Sequence, residues 1–445
     1  MRNRIWGALI ANGFSRVIRI AEQLVLLPLL IAGWGIELYG EWVALFSIAT
    51  FAGIANFGIG HTAASEIVLQ HARDDNSAAT TTFVTSMVVT TIAVVAGFLS
   101  LLAVVSLADI HSLVSITALD SREARSIVVV LSLAILLAFY NEPLGGVLNA
   151  AIGAALPNFI YATTKAIEIG AIGVALHFGV RPFSVAVLMA SASLANVAIL
   201  AAVAIVCVPW LSFRPSHFRV EVLTRNIRPA LGFFAIFVSF NIFAVHVPRL
   251  IVSHELGAVA LAAFTVTITY ARTARNAATM ISQAMQVEVG RAWAGEDKEN
   301  TRWLVEAMVN NTLSAVAVLL AIELTMARLI IPAWTHGQVA VDWKLLLALA
   351  AVALVGAYFD AVFIAAAALN RVGKIATWYS SGLAVALGAS FAFLPLTGSV
   401  STLGVLMLLP ELAGAWSATN VITQATGRHR IKLFSTPRPI PTLRA

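Results

Sequence analysis

The chain has 445 residues, of which 60% are hydrophobic and only 11% are charged. Soluble globular proteins have about 25% charged residues, so this composition excludes a soluble domain and is typical of a helical membrane protein. The formal net charge is +6, but the basic residues are spread along the chain, so we expect no nucleic-acid partner. The single cysteine excludes an internal disulfide.

Apolar runs longer than the roughly 20 residues that cross a bilayer recur along the whole chain. The first run carries Arg16, Arg19 and Glu22, so we interpret it as a retained span and not as a signal peptide. Charge clusters, Pro and Gly separate the runs and predict about twelve transmembrane helices. Their expected limits are 5–31, 42–69, 79–107, 126–150, 157–179, 183–209, 229–253, 257–287, 303–331, 343–369, 375–396 and 402–424.

Basic residues are distributed unequally between the two sides of the membrane. If the N-terminus is cytoplasmic, most Arg and Lys residues outside the spans fall in inner segments, whereas the outer loops hold only Arg122, Arg125, Arg181 and Lys344. Because cytoplasmic loops carry the excess of Lys and Arg, we expect a multi-pass protein with both termini in the cytoplasm.

Two sequence patterns occur twice. Tyr140-Asn141-Glu142 in the fourth span recurs as Tyr358-Phe359-Asp360 in the tenth span. Tyr161 of the fifth span recurs as Tyr379 of the eleventh at the same offset in the sequence. Each half has six spans, and because six is an even number both halves enter the membrane from the same side. We therefore predict an all-α fold of two six-helix lobes. A pseudo-twofold axis along the membrane normal relates such lobes, with the substrate between them.

The expected domain limits follow from this repeat. We predict an N-lobe over 1–210, a basic cytoplasmic linker over 211–228 and a C-lobe over 229–432. The remaining segment, 433–445, contains several prolines, so we expect a disordered cytoplasmic tail.

Four arginines lie deep within predicted spans. Arg16 and Arg19 are in the first span, and Arg272 and Arg275 are in the eighth. A guanidinium at this depth is costly unless it faces water or a partner, and the i, i+3 spacing places each pair on one helix face. We therefore predict a cationic cavity that binds an anion. The alternative is a buried network in which Glu22, Glu66 or Glu142 pairs with the arginines for stability.

Charged residues in the fifth span have no counterpart in the eleventh. Lys165 and Glu168 correspond to Leu383 and Ala386 in the repeat. The pair shares one helix face, and it is either a structural ion pair or part of the cavity. Polar candidates to line a hydrated cavity are Tyr140, Asn141, Tyr161, Asn196, Tyr270, Asn276, Tyr358 and Asn420.

Carboxylates at membrane depth suggest ion coupling. Glu142 and Asp360 occupy matching repeat positions, and either of them, or Glu168, is a candidate to take up H⁺ or Na⁺. The alternative is that the carboxylates pair with the cavity arginines. The histidines lack metal-ligand spacing and the chain has no nucleotide-binding phosphate loop, so we expect no metal, no ATP-driven transport and no cofactor other than a coupling ion.

Several stretches resemble one family of membrane transporters. The segments are Leu27-Pro28-Leu29-Leu30, Tyr39-Gly40-Glu41-Trp42, Asn56-Phe57-Gly58-Ile59-Gly60 and Pro248-Arg249-Leu250-Ile251. They resemble Wzx-type polysaccharide and O-antigen flippases of the multidrug, oligosaccharidyl-lipid and polysaccharide exporter superfamily. The resemblance implies two lobes, alternating access and translocation of undecaprenyl-pyrophosphate-linked oligosaccharides across the bacterial inner membrane. The implied partners are this lipid-linked substrate, membrane lipids and a polysaccharide polymerase or chain-length protein.

This implication agrees with the cationic cavity. Arginines bind pyrophosphate through bidentate, charge-assisted hydrogen bonds, so Arg16, Arg19, Arg272 and Arg275, together with Lys165, are the predicted substrate-binding residues. The main alternative is a cation-coupled multidrug exporter of the MATE type, which favours acidic and aromatic cavities. A lipid II flippase has a fourteen-helix pattern that fits the spans poorly. An enzyme is not expected, because the outer loop 108–125 holds no convincing catalytic set.

Overall fold

The structure is a computed structural model that describes residues 2–107, 110–212, 214–369, 371–427 and 431. All of its regular secondary structure over these residues is helical, which confirms the predicted all-α class. Short 3₁₀-helical turns, called irregular turns below, occupy Thr50–Asn56, Ala138–Tyr140 and Pro215–His217, and Val238–Phe243 is a π-helix. In chain order the α-helices are α1 (Arg2–Ala49), α2 (Ile59–His71), α3 (Asn76–Leu107), α4 (Ile110–Leu113), α5 (Ser121–Leu137), α6 (Asn141–Ala151), α7 (Ala155–His177), α8 (Pro182–Cys207), α9 (Val220–Phe237), α10 (Ala244–Ala294), α11 (Lys298–Trp334), α12 (Trp343–Ala368), α13 (Gly373–Thr397), α14 (Val400–Leu406) and α15 (Leu408–Thr426).

Ten helical segments among the described residues are long and apolar enough to cross a membrane. Two of them are divided by a glycine with positive φ: Gly35 (φ 79°, ψ 170°) in α1 and Gly257 (φ 84°, ψ 177°) in α10. Only glycine adopts this backbone conformation readily, and it interrupts each helix. Counting the two parts of each divided segment separately confirms the prediction of about twelve spans.

Aspartates begin three of the helices where they emerge from loops. Asp120 accepts hydrogen bonds from the backbone N–H groups of Arg122 (2.6 Å) and Glu123 (3.0 Å) at the start of α5. Asp297 and Asp342 cap α11 and α12 in the same way. An N-cap carboxylate satisfies backbone donors that the first helical turn leaves unpaired.

Glu41 belongs to one of the segments that resemble the flippase family, and it binds the backbone of the loop between α4 and α5. Its side chain is fully buried and accepts hydrogen bonds from the backbone N–H groups of Thr117 (2.5 Å), Ala118 (2.6 Å) and Leu119 (3.0 Å). Several amide donors around one carboxylate satisfy the buried charge, so Glu41 is a structural residue.

The chain divides into two compact units, Met1–Ala262 and Ala263–Ala445. In the first unit α1 packs on α7, α5 packs on α8, and α2 packs on α3, α6 and α9. In the second unit α12 and α13 both pack on α15, and α11 packs on α12. The first unit extends beyond the linker expected at 211–228; the lobe limits stay a prediction, and the expected tail 433–445 lies outside the described residues.

The sequence repeat is visible in where the helices begin. The first residues of α7 and α13 are separated by the offset that relates Tyr161 to Tyr379, and so are the first residues of α8 and α14. The repeats differ in detail, because the second span is interrupted between α1 and α2. There Phe57 (φ 24°) and Gly58 (φ 70°) follow the irregular turn Thr50–Asn56. The eighth span continues without a break to Ala294.

Candidate functional site

An arginine held by two carboxylates lies in the second unit. Arg275 of α10 donates from Nε and Nη2 to Asp360 of α12, at 2.8 and 2.9 Å. It also donates from Nη1 and Nη2 to Glu411 of α15, at 2.6 and 3.2 Å. Both pairs are bidentate, the arrangement that gives the strongest ion pairs. Arg275 therefore ties three membrane helices together.

The space for this guanidinium is provided by Gly356. A Cβ atom added there would overlap the Arg275 guanidinium. The Thr279 hydroxyl also donates to Asp360, at 3.1 Å. Arg275, Asp360 and Glu411 carry a combined charge of −1, so the positive charge of Arg275 is fully neutralised by its neighbours.

Arg272 lies one turn before Arg275 and on the same helix face. It is partly buried, and no hydrogen bond or ion pair joins it to another described residue. Its electrostatic neighbours are Arg275, Tyr379, Glu411 and Asp360, and neither carboxylate lies within ion-pair distance of it. Among the described residues, the N–H donors of Arg272 thus have no hydrogen-bond acceptor.

A second ionic cluster lies in the first unit. Lys165 of α7 forms ion pairs with Glu168, at 2.9 Å, and with Glu22 of α1, at 3.2 Å. All three side chains line a cavity of about 250 Å³ between α1, α5, α7 and α8. The three groups carry a combined charge of −1. The other residues that line the cavity are Phe46, Leu131, Ala134, Ile135, Ala138, Asn141, Tyr161, Thr164, Met189, Ala192, Ser193 and Asn196.

Three of the predicted polar lining residues meet in this cavity. Asn196 donates from Nδ2 to Asn141 Oδ1 at 2.9 Å, and Tyr161 also lines the cavity. The Asn196 Oδ1 atom is buried and has no hydrogen-bond partner in the described part of the chain. The cavity thus offers more acceptors than donors, which favours a ligand that donates hydrogen bonds or carries positive charge.

Three of the predicted tyrosines instead make interhelical contacts. The Tyr140 hydroxyl donates to Thr91 Oγ1 at 3.1 Å, and the Tyr270 hydroxyl donates to the Glu323 carbonyl at 2.7 Å. The Tyr358 hydroxyl is hydrogen-bonded to Thr419 at 2.8 Å.

Glu142 of α6 lies apart from both clusters, beside the start of α2. Its carboxylate accepts a hydrogen bond from the backbone N–H of His61, in the first turn of α2. The Oε2 atom is buried without a hydrogen-bond partner among the described residues. Gly60 makes room for it, since an added Cβ would lie 2.7 Å from Oε2. Glu142 therefore caps the helix that begins after the break in the second span.

The side chains of Arg16 and Arg19 lie outside the described residues. The partners of Arg275 are Asp360 and Glu411, and not Glu22, Glu66 or Glu142 as the network alternative expected. Sequence reasoning missed Glu411. The signal was present, because Glu411 is a carboxylate inside the last apolar span and is adjacent to Pro410, as Glu142 is adjacent to Pro143.

Comparison with known proteins identifies the fold. No protein-family model matches the chain, and neither does any curated protein sequence. Solved structures do match. A multidrug resistance MATE family transporter of the MOP superfamily, in an inward-facing conformation, is 14% identical with a TM-score of 0.76, over 94% of this chain and 98% of that one. The lipid II flippase MurJ, in an inward closed conformation, is 13% identical with a TM-score of 0.65, over 94% of this chain and 89% of that one.

A third similar structure is a MOP superfamily transporter from Pyrococcus furiosus, described by the reverse polarity of its binding pocket. It is 15% identical with a TM-score of 0.61, over 95% of both chains. Similarity at this level of identity establishes the architecture. The chain shares its all-helical fold with these transporters.

Proposed function

We propose that the chain is a transporter that moves undecaprenyl-pyrophosphate-linked oligosaccharide units across the bacterial inner membrane by alternating access. The observation that carries the proposal is Arg272, a guanidinium in a membrane helix without an ion pair to any described residue. Such a group requires water or an anion. A pyrophosphate supplies oxygens for bidentate hydrogen bonds, and the fold is shared with a lipid II flippase.

Arg272 and Arg275 have different roles in this proposal. Four donor contacts of Arg275 are directed at Asp360 and Glu411, so Arg275 positions the helix and keeps Arg272 on the ligand-facing side. Arg272 is the proposed pyrophosphate ligand in the second unit. Arg16 and Arg19 stay contacts predicted from the sequence, whereas Lys165 is already paired with Glu22 and Glu168. The polyprenyl tail stays in lipid, and the sugars occupy a hydrated space.

The proposed coupling group for H⁺ or Na⁺ is Glu142. Asp360 is held by Arg275 and Thr279, and Glu168 is paired with Lys165, so each of them already has a cationic partner. Glu142 keeps one carboxylate oxygen without a partner in the described part of the chain. That oxygen is free to take a proton or to coordinate a cation.

The second candidate function is export of organic cations. The observation that favours it is the cavity of the first unit, where Glu22, Lys165 and Glu168 carry a combined charge of −1 beside Tyr161 and two amides. An acidic, partly aromatic cavity binds cations. The similarity to a multidrug resistance MATE family transporter supports this function as well as the similarity to a lipid II flippase supports the first.

The deciding experiment is complementation of a bacterium that lacks its own lipid-linked oligosaccharide flippase and contains the native glycan pathway. We expect the wild type to restore surface polysaccharide and Arg272→Ala to abolish it at matched expression. Arg272→Lys keeps the charge but loses the bidentate geometry, so we expect partial activity. The matched control is Arg328→Ala, because Arg328 stacks on the Trp343 ring at 5.4 Å and has no proposed ligand contact.

Two results would change the assignment. Full complementation by Arg272→Ala would remove the residue on which the pyrophosphate proposal depends. If the wild type fails to complement but makes the host resistant to cationic drugs, and Glu168→Gln removes that resistance, the chain is a multidrug exporter.

A further inference from the structure

The carboxylate of Glu66 joins α9 to α2. Glu66 of α2 accepts hydrogen bonds from the Arg225 guanidinium, from Asn226 Nδ2 at 2.6 Å and from Gln70 Nε2 at 3.0 Å. The first two donors come from α9 and the third from α2 itself. Among the described residues, the polar side-chain contacts between the two helices meet at Glu66.

The segment that leads into α9 is also fixed to its neighbours. Thr80 Oγ1 of α3 donates to the Trp210 carbonyl at 3.2 Å, and the Trp210 ring stacks on His71 with centroids 5.3 Å apart. The Arg219 backbone N–H donates to Thr85 Oγ1 at 3.1 Å. The N-terminal end of α9 is therefore docked on the ends of α2 and α3.

The other end of α9 loses its regular helical geometry. The chain passes from α9 into the π-helix Val238–Phe243 before α10 begins. The π-helix packs against the irregular turn Thr50–Asn56 of the second span. The Phe51 and Phe243 rings are 6.3 Å apart, and a Cβ on Gly53 would lie 3.3 Å from Ile242 Cδ1. Non-α turns within membrane helices commonly mark hinges and functional positions.

We propose that α9 is a hinged segment that is latched by Glu66 and that turns at the π-helix Val238–Phe243. The Arg225 side chain is 58% exposed and the Glu66 side chain 20% exposed. An ion pair in contact with water contributes little net stability, so it can break and form again without a large change in free energy. This property suits a latch better than a permanent structural pair such as Arg275 with Glu411. The proposal holds whichever substrate the protein carries.

The test is hydrogen–deuterium exchange of the whole protein in lipid nanodiscs. In Glu66→Ala and Arg225→Ala we expect the amides of 220–237 to exchange roughly 2- to 5-fold faster, the change that loss of a weak pair produces. The double variant should exchange no faster than Glu66→Ala alone, because the Glu66 substitution already removes the ion pair with Arg225. In the wild type, the amides of 238–243 should exchange faster than those of the α-helical turns on either side.

Two further variants distinguish loss of the Glu66–Arg225 pair from a general loss of stability. Glu66→Arg combined with Arg225→Glu restores opposite charges and should return exchange in 220–237 toward the wild-type rate. Arg181→Ala is the matched control, since it breaks an exposed ion pair with Glu123 elsewhere in the same unit and should leave 220–237 unchanged. Unaltered exchange of 220–237 in both single variants, or an equal increase in 244–256 beyond the hinge, would overturn the proposal.

Discussion

Glu142 and Asp360 occupy equivalent positions in the two repeats, yet the structure gives them different partners. Glu142 binds the backbone N–H of His61, and Asp360 binds the side chains of Arg275 and Thr279. His61 and Thr279 are themselves separated by the same offset as the two carboxylates. Both carboxylates therefore contact equivalent points of the second and eighth spans.

The difference follows from the backbone. The second span is broken before α2, so its first-turn N–H groups lack helical partners and carry partial positive charge. A carboxylate is then satisfied by the helix end itself. The eighth span is continuous at this level, so its amides are already bonded, and an arginine must neutralise the carboxylate. The helix end at the break in the second span thus stabilises Glu142 in the way that the Arg275 guanidinium stabilises Asp360 in the other repeat.

The largest expected effect comes from removing that guanidinium. Arg275→Ala leaves Asp360 and Glu411 close together without a cation, and we expect a loss of about 3–5 kcal/mol. The measurement is the apparent Tm of the purified protein in detergent at one scan rate. Arg291→Ala, which breaks an exposed pair with Glu288, is the control.

Two outcomes sharpen this prediction. Combining Arg275→Met with Asp360→Leu and Glu411→Leu should recover much of the lost stability, because an apolar replacement of the whole set leaves no unpaired charge. If Arg275→Ala lowers Tm no more than Arg291→Ala, the two carboxylates do not depend on the guanidinium and the comparison fails.

Substitution of the glycine beside each carboxylate should also cost more stability at the Asp360 site than at the Glu142 site. A Cβ at Gly356 would overlap Arg275, which four hydrogen bonds hold in place, whereas a Cβ at Gly60 would mainly meet the tip of the Glu142 carboxylate. We expect Gly356→Ala to cost about 1–3 kcal/mol, as overpacking does, and Gly60→Ala to cost less. Gly388→Ala, with nothing within 4 Å of the added atom, should not destabilise the protein. Equal Tm losses at Gly356 and Gly60 would show that Arg275 can move aside.

Much of the architecture was accessible from the sequence, because apolar runs and the constant offset between the repeats depend only on residue type and order. The equivalence of Glu142 and Asp360 was predicted in the same way. Pairing with a cavity arginine was one of two alternatives for both carboxylates, and Asp360 pairs with Arg275. Which carboxylate takes which partner depends on how each helix is rotated and on where it breaks. The turn Thr50–Asn56 is largely apolar and carries no charge, so the predicted second span continues through the interruption that gives Glu142 its role.

Glu411 shows a second limit. It lies in an apolar span and was open to the same argument as Glu142, but it has no acidic counterpart in the first repeat, where Ser193 occupies the equivalent position. A search for repeated charges therefore overlooks it. Packing of α12 and α13 on α15 brings it to Arg275, and only the fold supplies that information.

A smaller effect is expected at the helix cap. Glu142→Ala removes the acceptor for the His61 N–H, and we expect a loss of about 1 kcal/mol, typical of an N-cap. Glu142→Gln keeps an oxygen acceptor and should lose less. Hydrogen–deuterium exchange should show faster exchange at the start of α2 in Glu142→Ala and no change around Thr279. A Tm loss as large as that of Arg275→Ala would mean that Glu142 neutralises a charge and does not merely cap a helix.

The smallest effect is expected at Asp120, which performs the same capping in water. The backbone N–H groups of Glu123 and Arg122 hold the pKa of Asp120 below its usual value. Because the folded pKa is the lower one, this stabilisation is present above the unfolded pKa of about 3.9 and is lost as the pH falls through the folded pKa. Asp120→Asn keeps a neutral acceptor, so its Tm should lie slightly below that of the wild type at pH 7, and the difference should be smaller at about pH 3, below the unfolded pKa. An equal Tm difference at both pH values would mean that the negative charge of Asp120 contributes nothing to stability. The charge of a capping carboxylate would then matter only where the helix begins inside the membrane, as at Glu142.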